Sequence, residues 1–186
     1  MKMTMRHWLG SAAIAVGFVL AAFGAWVPAK AWVGQRMLTT AFLETQNSGT
    51  PIKPWPWADF SAVARITVPR IGAEAIALDA STGAAMAWGP GAVPGLDRLG
   101  TGPVAFAGHR DTHLAFLADL RPGDMVEVEG TDRRKHIYRV TGAQVIDSRK
   151  WRFPMAGNGL MLATCWPLNA TTPGPLRLII SAKRVT

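Results

Sequence analysis

The stretch "LMLATCWPLNATTPGPLR" occupies residues 160–177 and holds Cys165, the only cysteine in the chain. Leu160, Leu162 and Thr164 alternate with Met161, Ala163 and Cys165, which is the period of a strand with two distinct faces. Pro167 has no amide hydrogen to offer a ladder, so the strand is expected to stop near Cys165. The thiol then falls where a strand opens into a loop. Residues 166–174 read as that loop, and the apolar run 176–181 returns from it. If the two runs form an antiparallel hairpin, Cys165 and Arg177 meet at the mouth of one loop, with about 4.8 Å between the strands. A guanidinium placed there can favour a thiolate, and it can donate to the oxyanion formed when a thiolate attacks a carbonyl. The plainer reading of a lone cysteine is a small buried hydrophobe. Placement at a strand end beside an arginine weighs against it.

A nucleophile of this kind needs a proton carrier. The chain has four histidines: His7, His109, His113 and His136. His7 adjoins an apolar N-terminal segment, and His136 begins what reads as a surface strand. His109 follows the apolar run "PVAFAG", so it is delivered at a strand terminus, as Cys165 is. A histidine there can serve as acid and base near neutral pH. His109, Asp111 and His113 also have the atoms of a metal site. However, paired metal histidines in "HExxH" motifs share one helix and carry a glutamate after the first histidine. Here the first follows a glycine, and Arg110 next to it would repel a dication.

The surrounding sequence is a succession of short β-rich runs separated by turns. Residues 64–71, 73–78, 103–107, 125–129, 136–146, 160–164 and 176–181 read as strands. Residues 81–102 are rich in Gly and Pro and read as loop. Residues 112–120 suggest one or two helical turns, capped by Asp111 or Thr112. Seven or eight short strands with little helix imply a mainly β sandwich or small barrel.

Residues 8–27, "WLGSAAIAVGFVLAAFGAWV", carry no charge over 20 residues. As a helix they would rise roughly 30 Å, the thickness of a bilayer's hydrocarbon core. Trp8 and Trp26 stand at the ends, where indoles favour the interface. The alternative is a signal peptide cleaved near Ala29-Lys30-Ala31, but the apolar run is longer than such segments usually have. The expected organisation is a membrane anchor over 1–30, a juxtamembrane helix and linker over 31–58, and a catalytic domain over 59–186. In the linker, "KPWPWADF" is unusual. Trp55 and Trp57 either pin the chain to the domain or touch a lipid surface, and the first is preferred.

Composition sets outer bounds. The chain has 186 residues, 49% of them hydrophobic, and a formal net charge of +8. That suits one domain with some extra length. The excess charge is spread out, without a basic stripe interleaved with aromatics, so nucleic acid is not an expected partner. A single cysteine excludes an intramolecular disulfide.

With His109, Cys165 and Arg177 identified, the pattern resembles the sortases, membrane-anchored cysteine transpeptidases. Their signature is a Thr-Leu-x-Thr-Cys strand end, a histidine after an earlier strand and an arginine on the strand after the cysteine. Here the strand end is Met161-Leu162-Ala163-Thr164-Cys165, with methionine in place of the first threonine. "AGHRDTH", "GPLR", "KPWPWAD" and "AWGPG" are similar to a proteobacterial branch called class GN or marine sortases. The resemblance implies a closed β-barrel of about eight strands with short helices and an N-terminal transmembrane helix. It implies Cys165 as nucleophile, Arg177 as oxyanion or backbone donor and His109 as acid and base. Thr164 would shape the substrate cleft, and Asp111 would orient local backbone or Arg110. No metal and no cofactor are implied. The substrate would be an exported protein with a C-terminal signal similar to Leu-Pro-x-Thr-Gly, and an amine would accept the acyl group. The chain would cross the inner membrane once, with its catalytic domain facing the periplasm. Other cysteine transpeptidases place histidine and cysteine close together in a Ser-His-Gly-Cys type motif, unlike the wide spacing here. An anchored barrel that binds a peptide by strand addition, without chemistry, is the reading from another class.

Overall fold

The computed structural model describes residues 3–152 and 157–185, with side chains described from residue 29 onward and at a few positions before it. The chain divides into two compact units, Met1–Arg36 and Met37–Thr186. Helix α1 is continuous over Met3–Ser48. Among the described residues no helix is long and apolar enough to cross a membrane. Most side chains of 8–27, the expected anchor, lie outside the described residues. The second unit begins at Met37, well before the expected domain start at 59, because Leu38 and Phe42 of α1 are fully buried in it with Trp55, Phe60, Ile76 and Leu78.

Eight strands close into a barrel in the order β1-β2-β3-β4-β7-β8-β6-β5. They are β1 (Ala62–Val68), β2 (Ala73–Leu78), β3 (Gly91–Asp97), β4 (Val104–Gly108), β5 (Met125–Gly130), β6 (Lys135–Asp147), β7 (Gly159–Cys165) and β8 (Leu176–Arg184). A short helix α2 (Gly83–Met86) precedes β3. Of the strand pairs, β2·β3 and β4·β7 are parallel. The others are antiparallel, including the closing pair β1·β5.

Alternation decides what fills the barrel. Ile66, Val104, Phe106, Val128, Tyr138, Leu160, Leu162 and Ile180 all turn inward into one buried core. Their neighbours Ala105, Met161, Ala163 and Ile179 turn outward and form a separate cluster on the outer wall of β4, β7 and β8. His136 corrects a surface reading. It is buried beneath Gly100, whose φ of +80° makes room where a Cβ would lie 2.4 Å from the His136 ring. Residues 81–102 hold α2 and β3 rather than loop alone. The expected helical turn after β4 is a 3-10 turn, Ala115–Asp119, whose cap position is Leu114 and makes no side-chain cap.

The closing seam is fastened by a charged pair. Arg70, in the 3-10 turn after β1, donates from Nε and Nη2 to the two carboxylate oxygens of Asp124, at 2.5 and 2.7 Å. Asp124 precedes β5 and also accepts from the Arg121 amide at 2.7 Å. The Arg70 hydrogen bonds hold the Asp124 carboxyl below the usual carboxylate range. A carboxyl so depressed stabilises the fold above its unfolded pKa, near ~4, and loses that contribution as pH falls through the folded value. Asp124→Asn is therefore expected to lower Tm at pH 7 by roughly 3–8 °C. Thermal scans from pH 7 to pH 3 should show the gap between wild type and variant narrowing as the wild-type carboxylate is protonated.

Candidate active site

Three strand ends meet at one rim of the barrel, and strand direction puts them there. β4 and β7 run parallel and in step from Val104↔Leu160 to Gly108↔Thr164. His109 and Cys165 are the next residues on each. β8 is antiparallel to β7 and begins at the same rim, with Arg177 directly opposite Cys165. The hairpin read from the sequence thus exists with the two residues in one register pair. Cys165 belongs to the outward face of β7, with Met161 and Ala163, so the site lies on the barrel wall and not in its interior.

His109, Cys165 and Arg177 line a single groove of about 390 Å³. Ala107, Ala163 and Ile179, on three adjacent strands, form its apolar floor. Met86 of α2 contributes a wall, as do Ile146 of β6 and Ser148 and Trp151 of the turn beyond it. These wall residues were not singled out by sequence. Period-two reading of β6 and β8 would have placed Ile146 and Ile179 on the face of Arg177, since Ile146 pairs with Arg177. Met86 ends a four-residue helix and Trp151 lies at the end of a turn, neither long enough to carry a comparable signal.

The polar contacts around the groove are mostly to main-chain carbonyls. Thr164 is 1% exposed, and its Oγ1 donates to the Gly108 carbonyl at 2.8 Å. Its hydroxyl therefore fixes the end of β7 to the residue before His109. Arg177 donates from Nη1 to the carbonyls of Gly174 and Leu176 at 2.6 and 2.8 Å. Arg110 reaches across to the same loop, donating to the carbonyls of Pro167 and Thr172 at 3.0 and 3.3 Å. Ser148 adds two bonds to the Pro175 carbonyl, from its amide at 2.9 Å and its hydroxyl at 2.8 Å. Asp147 shapes the Ser148 turn. Its carboxyl accepts from the Arg149 guanidinium and amide, and the Arg149 side chain holds it down at about 2.

His113 stands beside the site in a different role. Its Nε2 lies 3.3 Å from the Ala87 carbonyl and donates to it in the Nε2-protonated tautomer. Burial pushes its pKa below the usual histidine range; the Ala87 hydrogen bond opposes this and the nearby His109 adds to it. Asp111 is exposed in the turn after β4. Among the described residues no three His, Cys, Asp or Glu side chains gather as a metal site would need.

A cysteine and an arginine opposed on one hairpin, with a histidine at the end of the parallel neighbour, line one groove on the wall of a closed barrel. The sortase domain model matches residues 66–185, and the chain belongs to the sortase family. Its fold is similar to that of sortase A from Corynebacterium diphtheriae, with 24% identity and a TM-score of 0.60 over 70% of this chain and 63% of that one. Sortase C1 of Streptococcus agalactiae gives 21% and 0.56 over 66% of each chain. The Clostridium perfringens sortase D5 transpeptidase gives 19% and 0.64 over 83% of this chain and 99% of that one. The chain thus spans slightly less than two thirds of the first two structures. No curated protein sequence matches it.

Thr164→Val keeps the shape of the side chain and removes its donor. Displacing His109 from Cys165 by a fraction of an ångström is expected to lower kcat roughly 10- to 100-fold, with KM within about twofold. Steady-state kinetics beside a circular dichroism melt would separate that loss from unfolding.

Proposed function

We propose that this protein is a cysteine transpeptidase that cleaves a C-terminal sorting signal and passes the acyl group to an amine. The observation that carries the reading is the register pair Cys165↔Arg177 at the floor of a groove shared with His109, in a chain of the sortase family. The Cys165 Sγ, as thiolate, attacks the carbonyl carbon of the threonine in a Leu-Pro-x-Thr-Gly-like signal. The carbonyl electron pair moves to oxygen, and Arg177 donates to the resulting oxyanion. His109, as imidazolium, protonates the leaving glycine amine as the C–N bond breaks, which leaves a thioester on Cys165. An incoming amine attacks the thioester, His109 takes up its proton, and Sγ leaves. The neutral apolar floor of Ala107, Ala163 and Ile179 suits the leucine and proline of such a signal. Thr164 acts in this scheme by shaping the cleft it lines and by positioning His109 through the Gly108 carbonyl.

The partner is then an exported protein bearing the signal, with an amine acceptor. The motifs "AGHRDTH" and "KPWPWAD" favour the proteobacterial class GN branch. The uncharged run 8–27, with tryptophan at both ends, supports a single inner-membrane anchor and a catalytic unit facing the periplasm.

Intact-mass measurement of the protein with a Leu-Pro-Ala-Thr-Gly peptide, with and without glycinamide, tests the chemistry. Wild type should gain the acyl mass and yield the amide-linked product, whereas Cys165→Ala should give neither. Arg177→Ala should slow turnover on the order of 10²–10³-fold. Binding without any adduct or product in wild type would leave a peptide-binding barrel instead. For the anchor, alkaline carbonate should leave the full-length chain in the membrane pellet, and a version lacking residues 1–30 should be extracted.

A further inference from the structure

The "KPWPW" stretch has no part in the chemistry above, and its two indoles have opposite fates. Trp57 is 82% exposed and Trp55 only 9%. Trp55 sits edge-on to Phe60, with centroids 5.5 Å apart, and against Trp88 at 4.7 Å. Around it Phe42 of α1, Ile76 and Leu78 of β2 and Ala85 of α2 form one buried cluster, with Trp88 packed against it.

Ala85 and Trp88 bracket one residue that lines the groove and one that lies beside it. Met86 lines the groove with His109 and Cys165. Ala87 presents the carbonyl that meets His113. The Trp88 amide closes the turn onto the Ala85 carbonyl at 2.9 Å. Residues just beyond are pressed against β2, since a Cβ at Gly89 would lie 2.4 Å from the Ile76 carbonyl oxygen. α2 is four residues long, and a single turn does not hold itself in water. Apart from the Thr82 cap on the Ala85 amide at 3.3 Å and the His113 contact at the Ala87 carbonyl, its place depends on what is packed behind it. Trp55 is part of that packing, with Ile76 and Leu78 of β2.

We infer that Trp55 is a positioning residue for the active site, holding Met86 at the groove through its ring contact with Trp88 and the buried cluster it shares with Ala85. The kinetic part of this inference rests on the transpeptidase reading; the structural part does not. Without the indole, α2 loses its backing and Met86 samples several positions, so a bound peptide has to order the wall itself. That raises KM. Cys165, His109 and Arg177 stand on β4, β7 and β8 and keep their geometry, so kcat is affected less.

The test compares wild type, Trp55→Ala, Trp55→Phe and Trp57→Ala as full-length chains in detergent micelles. Amide hydrogen exchange over residues 83–88 is measured beside KM and kcat for the Leu-Pro-Ala-Thr-Gly peptide. Trp55→Ala should speed exchange at 83–88 by roughly tenfold or more while β4, β7 and β8 stay protected. Its KM should rise about five- to tenfold with kcat within about twofold. Trp55→Phe keeps an aromatic ring against Trp88 and should restore most of both, and Trp57→Ala should match wild type. Unchanged exchange at 83–88 in a folded Trp55→Ala protein would overturn the inference, as would an equal loss in Trp57→Ala. If Trp55→Ala loses protection throughout the barrel, Trp55→Leu supplies the same comparison with less volume removed. Failure of wild type to turn over the peptide would count against the transpeptidase reading alone, and the exchange comparison would still decide the role of Trp55.

Discussion

The parallel pairing of β4 with β7 is the constraint on which the rest of the site depends. Two strands that run the same way end at the same rim, and five consecutive register pairs bring Gly108 level with Thr164. His109 and Cys165 are neighbours for that reason, although they are far apart in sequence. A one-residue slip of either strand would turn its whole set of side chains to the other face, sending Cys165 inward and Leu162 out. The buried Thr164 hydroxyl on the Gly108 carbonyl closes the pair at the end where register matters most.

The barrel separates its core from its groove. Its interior is filled by Phe106, Leu160, Leu162 and Ile180, and none of His109, Cys165 and Arg177 belongs to that core. The outer wall is a smaller cluster of Leu96, Ala105, Met161, Ala163 and Ile179, and a groove forms where α2 and the turn after β6 stand beside it. The segment between the uncharged run and the barrel has a core of its own. Leu38, Phe42 and Trp55 are buried there together with Ile76, Leu78 and Ala85.

That His109, Cys165 and Arg177 share one rim was legible because strand ends announce themselves. Pro167 after Cys165, Gly108 before His109 and the alternation of residues 160–165 located two termini without any knowledge of pairing. Arg177 followed from the hairpin. The sequence could not disclose that β4 and β7 are parallel neighbours, since that depends on the connections of the whole barrel. β3 was hidden for a local reason. It pairs with β2 at one position, carries Pro94, and opens on Gly91, where a Cβ would lie 2.3 Å from the Ala80 carbonyl oxygen. His136 reads as exposed because lysine and arginines surround it, yet it occupies an inward position of β6, between the outward Lys135 and half-buried Ile137. The reading that the linker tryptophans pin the chain to the domain holds for Trp55 and not for Trp57; a Pro-Trp-Pro-Trp run has no periodicity to tell one indole from the other.

The loop between Cys165 and Arg177 is held from three directions, by Arg110, Ser148 and Arg177 itself. Every one of these tethers ends on a main-chain carbonyl: Pro167, Thr172, Gly174 or Pro175. A carbonyl is present whatever residue occupies the position, so the moorings do not depend on the loop's side chains. The loop can therefore drift in sequence beside the reactive thiol while keeping its course, and the burden of invariance falls on the distant residues that grip it. Lineages of this protein would be free to reshape what the groove meets on that side by changing single loop residues, without first having to rebuild the loop.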